Sequence, residues 1–145
     1  MKIKQMYETI ELNSIGDSRG ELISLEALKS IPFEIKRVYY IFNVPQGISR
    51  GFHAHKELRQ LMICMSGGCT IRLDNGSETT EVPLDSPKKA LLLESGIWRE
   101  MADFSKDCVL VVIADREYDE SDYIRDYDSF LKYQKEKATL KAQRT

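Results

Sequence analysis

The feature that most constrains this chain is its punctuation. Pro45-Gln46-Gly47, Ser66-Gly67-Gly68, Asp74-Asn75-Gly76, Asp85-Ser86-Pro87 and Glu94-Ser95-Gly96 cut it into pieces too short for helices. Short pieces at roughly 8–12-residue spacing are the pattern of a β-sandwich or barrel. The pieces themselves suit strands: Lys36 to Phe42 is aromatic and β-branched, and Gln60 to Met65, Thr70 to Leu73, Ala90 to Leu93 and Cys108 to Ala114 are further runs. Asp74-Asn75-Gly76, between Thr70–Leu73 and Glu78–Val82, predicts a hairpin. The tail changes period. Tyr127, Phe130 and Leu131, then Tyr133, Ala138 and Leu140 stand among lysines and glutamates, which predicts an amphipathic helix over about 124–140 packed on the β unit. No repeat or Pro/Gly-rich linker divides the chain, so the expectation is one all-β domain over 1–145, its β part about 7–115, closed by a short C-terminal α-helix.

Composition excludes several classes. At 145 residues and 42% hydrophobic, the chain can bury a core without disulfide or metal staples. Lys and Arg number 21 against 23 Asp and Glu, a balance that argues against a nucleic-acid partner. No apolar run approaches the ~20 residues of a membrane span, and no apolar segment follows Met1-Lys-Ile-Lys-Gln to make a secretory signal. Cys64, Cys69 and Cys108 are odd in number and lie among apolar neighbours, which predicts buried, reduced thiols in the cytoplasm.

Both histidines fall in Phe52-His53-Ala54-His55-Lys56. On a strand, positions i and i+2 share a face, so the two imidazoles project together, to serve a metal or proton transfer. The spacing Gly47, His53, His55, Gln60, Gly67 resembles the first cupin motif, with Gln60 where a glutamate is usual. Glu94-Ser95-Gly96-Ile97-Trp98-Arg99 resembles the second, with Arg99 where a third ligand histidine is usual. The resemblance implies a double-stranded β-helix, or jelly roll, whose mouth these side chains line. The substitutions argue against a metal: glutamine is a weak neutral ligand, and arginine is a cation with no lone pair. The expectation is therefore no metal and no cofactor, with acid–base work on an anionic substrate. Arg50, Lys56, Arg72 and Arg99 are the neighbouring cations; Arg50 and Arg72 suit phosphates, and Arg99 an enolate oxygen. Tyr39 and Tyr40 point to opposite faces of one strand, so at most one enters the pocket, and Trp98 is a candidate wall or core filler.

Longer stretches narrow the reading. Asp17-Ser-Arg-Gly-Glu-Leu22, Ile35-Lys-Arg-Val-Tyr-Tyr-Ile41, Arg50-Gly-Phe-His-Ala-His-Lys56, Ile97-Trp-Arg-Glu-Met101, Asp103-Phe-Ser105 and Tyr118-Asp-Glu-Ser-Asp-Tyr-Ile-Arg-Asp-Tyr-Asp128 together resemble the sugar 3,4-ketoisomerases acting on dTDP-4-keto-6-deoxyglucose. The likeness runs over about residues 5–133. It implies a metal-free cytoplasmic cupin isomerase, a homodimer with exchanged N-terminal strands, that makes a dTDP-3-keto-6-deoxyhexose for 3-amino-sugar biosynthesis. It also implies His53 as main base, His55 as its partner, Tyr40 as hydroxyl donor, and Arg19 and Arg99 beside the hexose, with Arg50, Lys56, Gln60, Arg72 and Trp98 as further substrate contacts. Arg19 looks like the members that form the galacto product and Arg99 like those that form the gluco product, so the C4 configuration stays open. The competing readings are a 3,5-epimerase on the same sugar nucleotide, a non-catalytic nucleotide-sugar-binding cupin, and a metal-dependent oxygenase.

Overall fold

Alternation builds the strands. In Cys69–Asp74 the residues Cys69, Ile71 and Leu73 are buried, and the intervening Thr70, Arg72 and Asp74 are half-exposed. The computed structural model describes residues 1–144, among which twelve strands and one α-helix occur. In chain order they are β1 Tyr7–Glu11, β2 Ile15–Asp17, β3 Gly20–Leu22, β4 Arg37–Phe42, β5 Arg50–His55, β6 Gln60–Ser66, β7 Cys69–Asp74, β8 Thr79–Leu84, β9 Lys89–Leu93, β10 Trp98–Ala102, β11 Val109–Ala114, β12 Tyr123–Ile124 and α1 Tyr127–Arg144.

Two five-stranded sheets result, ordered β1-β9-β6-β11-β4 and β12-β5-β10-β7-β8, and every named strand pair in them is antiparallel. Apart from the β7–β8 hairpin, consecutive strands from β4 to β12 alternate between the sheets, as in a jelly roll. The main core lies between them: Met62, Cys64, Ile71, Leu73, Leu91, Ile97, Leu110 and Val112 are buried there. The three thiols belong to it, with Cys64 Sγ 3.6 Å from Cys69 and 3.7 Å from Cys108. Ile31 and Phe33 cover Leu61, Ile63 and Ile113 on the outer face of the first sheet. On the second sheet α1 covers Ala54 and Trp98 with Phe130.

Two sequence expectations shift. The helix starts at Tyr127, not 124, because Tyr123 and Ile124 pair with His55 and Ala54 as β12, and the Asp126 carboxylate then accepts the Ser129 N–H at 2.9 Å to cap the helix. It runs on to Arg144, with Lys141 and Arg144 in its last turn, where cations suit the C-terminal dipole. The hairpin forms, but Asp74 pairs with Thr79, so its loop is four residues long. The Asn75 side-chain oxygen closes that loop by accepting the Ser77 and Glu78 N–H groups at 3.0 and 2.7 Å. The β2–β3 hairpin joins neither sheet, and its Ile15 and Leu22 are exposed.

Candidate active site

A bulge aims β5 at the interior. Gly51 and Phe52 both have positive φ, +92° and +58°, where the register against β10 slips between Arg99 and Glu100. A Cβ on Gly51 would lie 3.0 Å from the Arg99 carbonyl oxygen, so only glycine fits. Beyond the bulge Ala54 packs toward Trp98 and Phe130, and His53 and His55 take the opposite, interior face.

The two imidazoles meet edge to face with ring centroids 4.8 Å apart, and the Tyr123 ring packs against both at 5.0 and 4.3 Å. His55 Nδ1 lies 3.0 Å from Asp122 Oδ2. An ionised carboxylate only accepts, so Nδ1 carries the proton and Nε2 presents a lone pair. Asp122 is itself fixed, its Oδ1 accepting the Glu57 N–H at 2.8 Å. His55 Nε2 and His53 Nδ1 are both buried and have no hydrogen-bond partner among the described residues.

Arg99 is 1% exposed. Its Nε and Nη2 donate to the Ile97 carbonyl at 3.2 and 3.1 Å, and Nη1 donates to Gln60 Oε1. Gln60 Nε2 donates in turn to the Tyr39 hydroxyl oxygen at 3.0 Å. Burial lowers the Arg99 pKa to about 10, which leaves it cationic at neutral pH. Burial first, and the Arg99 charge second, depress the His53 pKa to about 4. The same two causes, with His53 and Arg37 added, hold His55 well below its ordinary value. Burial raises Tyr39, keeping its hydroxyl protonated. Two neutral imidazoles, a neutral phenol and a fixed cation thus cluster on the interior side of the sheets. The donor set does not fit a metal ion: the Gln60 carbonyl oxygen is held by a guanidinium, and that cation repels a second one.

A second cation borders this cluster. Arg37, Tyr39 and Ile41 share one face of β4, by alternation. The Arg37 guanidinium carbon lies 5.3 Å from the Tyr39 ring centroid and 5.7 Å from that of Tyr118.

The sequence expectations divide cleanly. His53, His55, Gln60 and Arg99 come together as their spacing implied. Arg50 pairs with Met101 in the β5–β10 ladder, on the face that carries His53 and Arg99, and is exposed at the strand's start. Lys56 is exposed just past β5, with its N–H donating to the Asp122 carbonyl. The other four lie away from this cluster within the chain. Tyr40 is 63% exposed on the outer face of β4, against Phe42; Tyr39 is the tyrosine that enters. Trp98 lies on the outer face of its sheet between Tyr127 and Phe130, because its neighbour Arg99 takes the interior. Arg72 faces outward too, paired with Glu81 at 3.1 Å and Asp103 at 3.7 Å, because its neighbours Ile71 and Leu73 fill the core. Arg19 lies in the exposed β2–β3 hairpin, and its guanidinium pairs with Asp17, not with the cluster.

Four residues at this cluster carry no role in the sequence reading: Arg37, Tyr39, Asp122 and Tyr123. Asp122 and Tyr123 lie in the Tyr118–Asp128 stretch that carries part of the family resemblance. The available signal was chemical: a buried histidine that works through one nitrogen needs an acceptor for the other. For Tyr39 the apolar pattern misleads. The outer face of β4 carries Val38, Tyr40 and Phe42, and the inner face carries Arg37, Tyr39 and Ile41, so the exposed face is the more apolar one.

The comparisons with known proteins agree among themselves. The family described as FdtA: WxcM-like, C-terminal, matches residues 5–135. The chain is 51% identical over 126 residues to a TDP-4-oxo-6-deoxy-alpha-D-glucose-3,4-oxoisomerase from Aneurinibacillus thermoaerophilus, covering 87% of this chain and 91% of that protein. A 3,4-ketoisomerase structure from Helicobacter canadensis superposes with a TM-score of 0.87 at 45% identity, over 89% of this chain and 97% of its own. The sugar 3,4-ketoisomerase QdtA from Thermoanaerobacterium thermosaccharolyticum, solved in complex with TDP, gives 0.88 at 43% identity over 90% and 96%.

Proposed function

The chain belongs to the FdtA family of WxcM-like C-terminal domains, and on that premise we propose that it is a sugar-nucleotide 3,4-ketoisomerase converting dTDP-4-keto-6-deoxyglucose to the dTDP-3-keto-6-deoxyhexose. The observation that carries the reading is the pair of adjoining buried, neutral imidazoles, each with a buried ring nitrogen that has no hydrogen-bond partner among the described residues. The chemistry needs a base at one carbon and an acid at the next. The C4 ketone acidifies the C3 proton, and His53 removes it. The electron pair forms the C3–C4 double bond, and charge moves to O4. Protonation at C4, with transfer of the O3 proton to O4, leaves the ketone at C3 and a hydroxyl at C4. His55, held by Asp122 with Nε2 free, shares the proton traffic. Tyr39 takes the hydroxyl-donor role expected of Tyr40, and burial keeps its proton in place.

The reading extends to assembly and place. Two copies associate through the apolar outer face of β4, with the β2–β3 hairpins reaching between them; the exposed Val38, Tyr40, Phe42, Ile15 and Leu22 support this. Since β1 pairs with β9 of its own chain, the hairpin is the exchanged segment, and Arg19 meets a hexose across the dimer. The enzyme works in the cytoplasm, where reduced core thiols are at home.

Proton NMR of the chelator-treated protein with dTDP-4-keto-6-deoxyglucose, in water and in deuterated water, tests the activity. The expected product is the 3-keto sugar with deuterium at C4, and the H4–H5 coupling then reads its configuration. His53→Asn should lower kcat/KM by about 10²–10⁴-fold. Exchange at C5 with the ketone still at C4 makes the protein an epimerase. Binding without exchange makes it a non-catalytic cupin.

A further inference from the structure

Arg37 has no role assigned to it, yet it carries the buried donors that the cluster leaves unused. Among the described residues, the buried side-chain nitrogens and oxygens without a hydrogen-bond partner are four: Arg37 Nε, Arg37 Nη2, His53 Nδ1 and His55 Nε2. They come from two strands in different sheets, β4 and β5. The Arg37 charge also acts directly on His55 and Tyr39. Arg37 is half-buried as a residue, but these two of its nitrogens are shut off from water without a partner, and native structures rarely keep buried donors unsatisfied.

Nε and Nη2 form one edge of the guanidinium, the fork that binds two adjacent acceptor oxygens side by side. The expected oxyanion cation, Arg99, has its Nε and Nη2 on the Ile97 carbonyl and Nη1 on Gln60, so the equivalent edge is closed. An enediolate spanning C3 and C4 offers two vicinal oxygens on one side of a double bond. We propose that the Nε/Nη2 edge of Arg37 binds O3 and O4 of the hexose and stabilises the enediolate, as the electrophile of the isomerisation. The inference rests on the ketoisomerase reading above.

The step balances without a co-reactant. The C3–H bond breaks to the imidazole of His53, its electron pair becomes the C3–C4 double bond, and the C4–O4 π pair becomes charge on O4. Both Arg37 donors face that charge. The C3–C4 π pair then takes a proton at C4, the O3–H pair becomes the new C3 carbonyl, and the proton leaving O3 ends on O4, which becomes the C4 hydroxyl. Arg37 gives up no proton at any stage. The Tyr39 and Tyr118 rings flank the guanidinium, and the 61%-exposed Tyr118 is the one a sugar parts from it on entry.

The experiment compares wild type, Arg37→Met and Arg37→Lys in three readouts: kcat for the 4-keto sugar, washout of the C3 proton into deuterated water, and affinity for dTDP by calorimetry. Arg37→Met should lose about 10²–10³-fold in kcat, the scale of one oxyanion donor, with C3 washout falling in parallel and dTDP affinity within about twofold of wild type. Arg37→Lys keeps the charge but not the fork and should recover only part of the rate. Full activity in Arg37→Met overturns the inference, and so does a dTDP affinity that falls more than tenfold with kcat retained, which places Arg37 on the diphosphate. Retained dTDP binding shows that the variant is folded. An inactive wild type counts against the ketoisomerase reading instead, since the inference is read only from the difference between the two proteins.

Discussion

His53 illustrates how a residue's surroundings set its proton chemistry. Burial and Arg99 bring its pKa down to about 4, so it is a neutral base at any physiological pH. The same shift makes a stability claim. Its folded pKa lies below the ordinary histidine value of about 6.5, so between those two pH values the unfolded chain binds more protons. The contribution is therefore fully present above about pH 6.5 and is lost as pH falls toward 4. The loss reaches on the order of 3 kcal/mol at the bottom of that window. Urea unfolding of wild type and His53→Asn at pH 7 and pH 4.5 should show the wild type losing more stability on acidification. Equal losses would mean that His53 titrates normally in the fold. At this scale the sequence was legible where spacing defines a partner set: His53, His55, Gln60 and Arg99 meet as their intervals imply. It was illegible where the partner is a tertiary neighbour, as Asp122 is for His55 across 67 positions.

Strands are legible because their period is short and their turns are marked, and the expected segments fall on β4, β6, β7, β9 and β11. Parity is harder. A strand with apolar residues on both faces gives no sign of which face looks inward, and β4 is such a strand, so its pattern alone does not separate Tyr39 from Tyr40. The helix boundary fails for a related reason: Tyr123 and Ile124 fit a helix start by composition, but the open edge of β5 claims them as β12. The helix itself is anchored by Phe130, fully buried against Trp98 and Tyr127, with ring centroids at 5.7 and 5.8 Å. Phe130→Ala should cost about 3–5 kcal/mol, as core phenylalanines do. Thermal melting should place that variant roughly 10 °C or more below wild type. A loss under about 1 kcal/mol would mean that α1 is an appendage, not a structural cover.

For the whole molecule, the sheet order explains what remains exposed. Strand β4 ends the first sheet and turns Val38, Tyr40 and Phe42 outward, beside a hairpin with its own apolar residues uncovered. Light scattering after gel filtration should give twice the 16.7 kDa chain mass, and Tyr40→Glu should give the single chain. A wild type that elutes as one chain would remove the assembly from the reading and leave the histidine site unaffected.

That same order has a consequence for how the protein is made. In the first sheet no two neighbouring strands are adjacent in the chain: β1 lies on β9, and β4 waits for β11. A ribosome that has released the histidine strand has therefore released little that can hold it. Until Ala114 emerges, β4 lacks β11, the strand it pairs with, and the first sheet is incomplete. Completion of the first sheet therefore waits until most of the chain has been made.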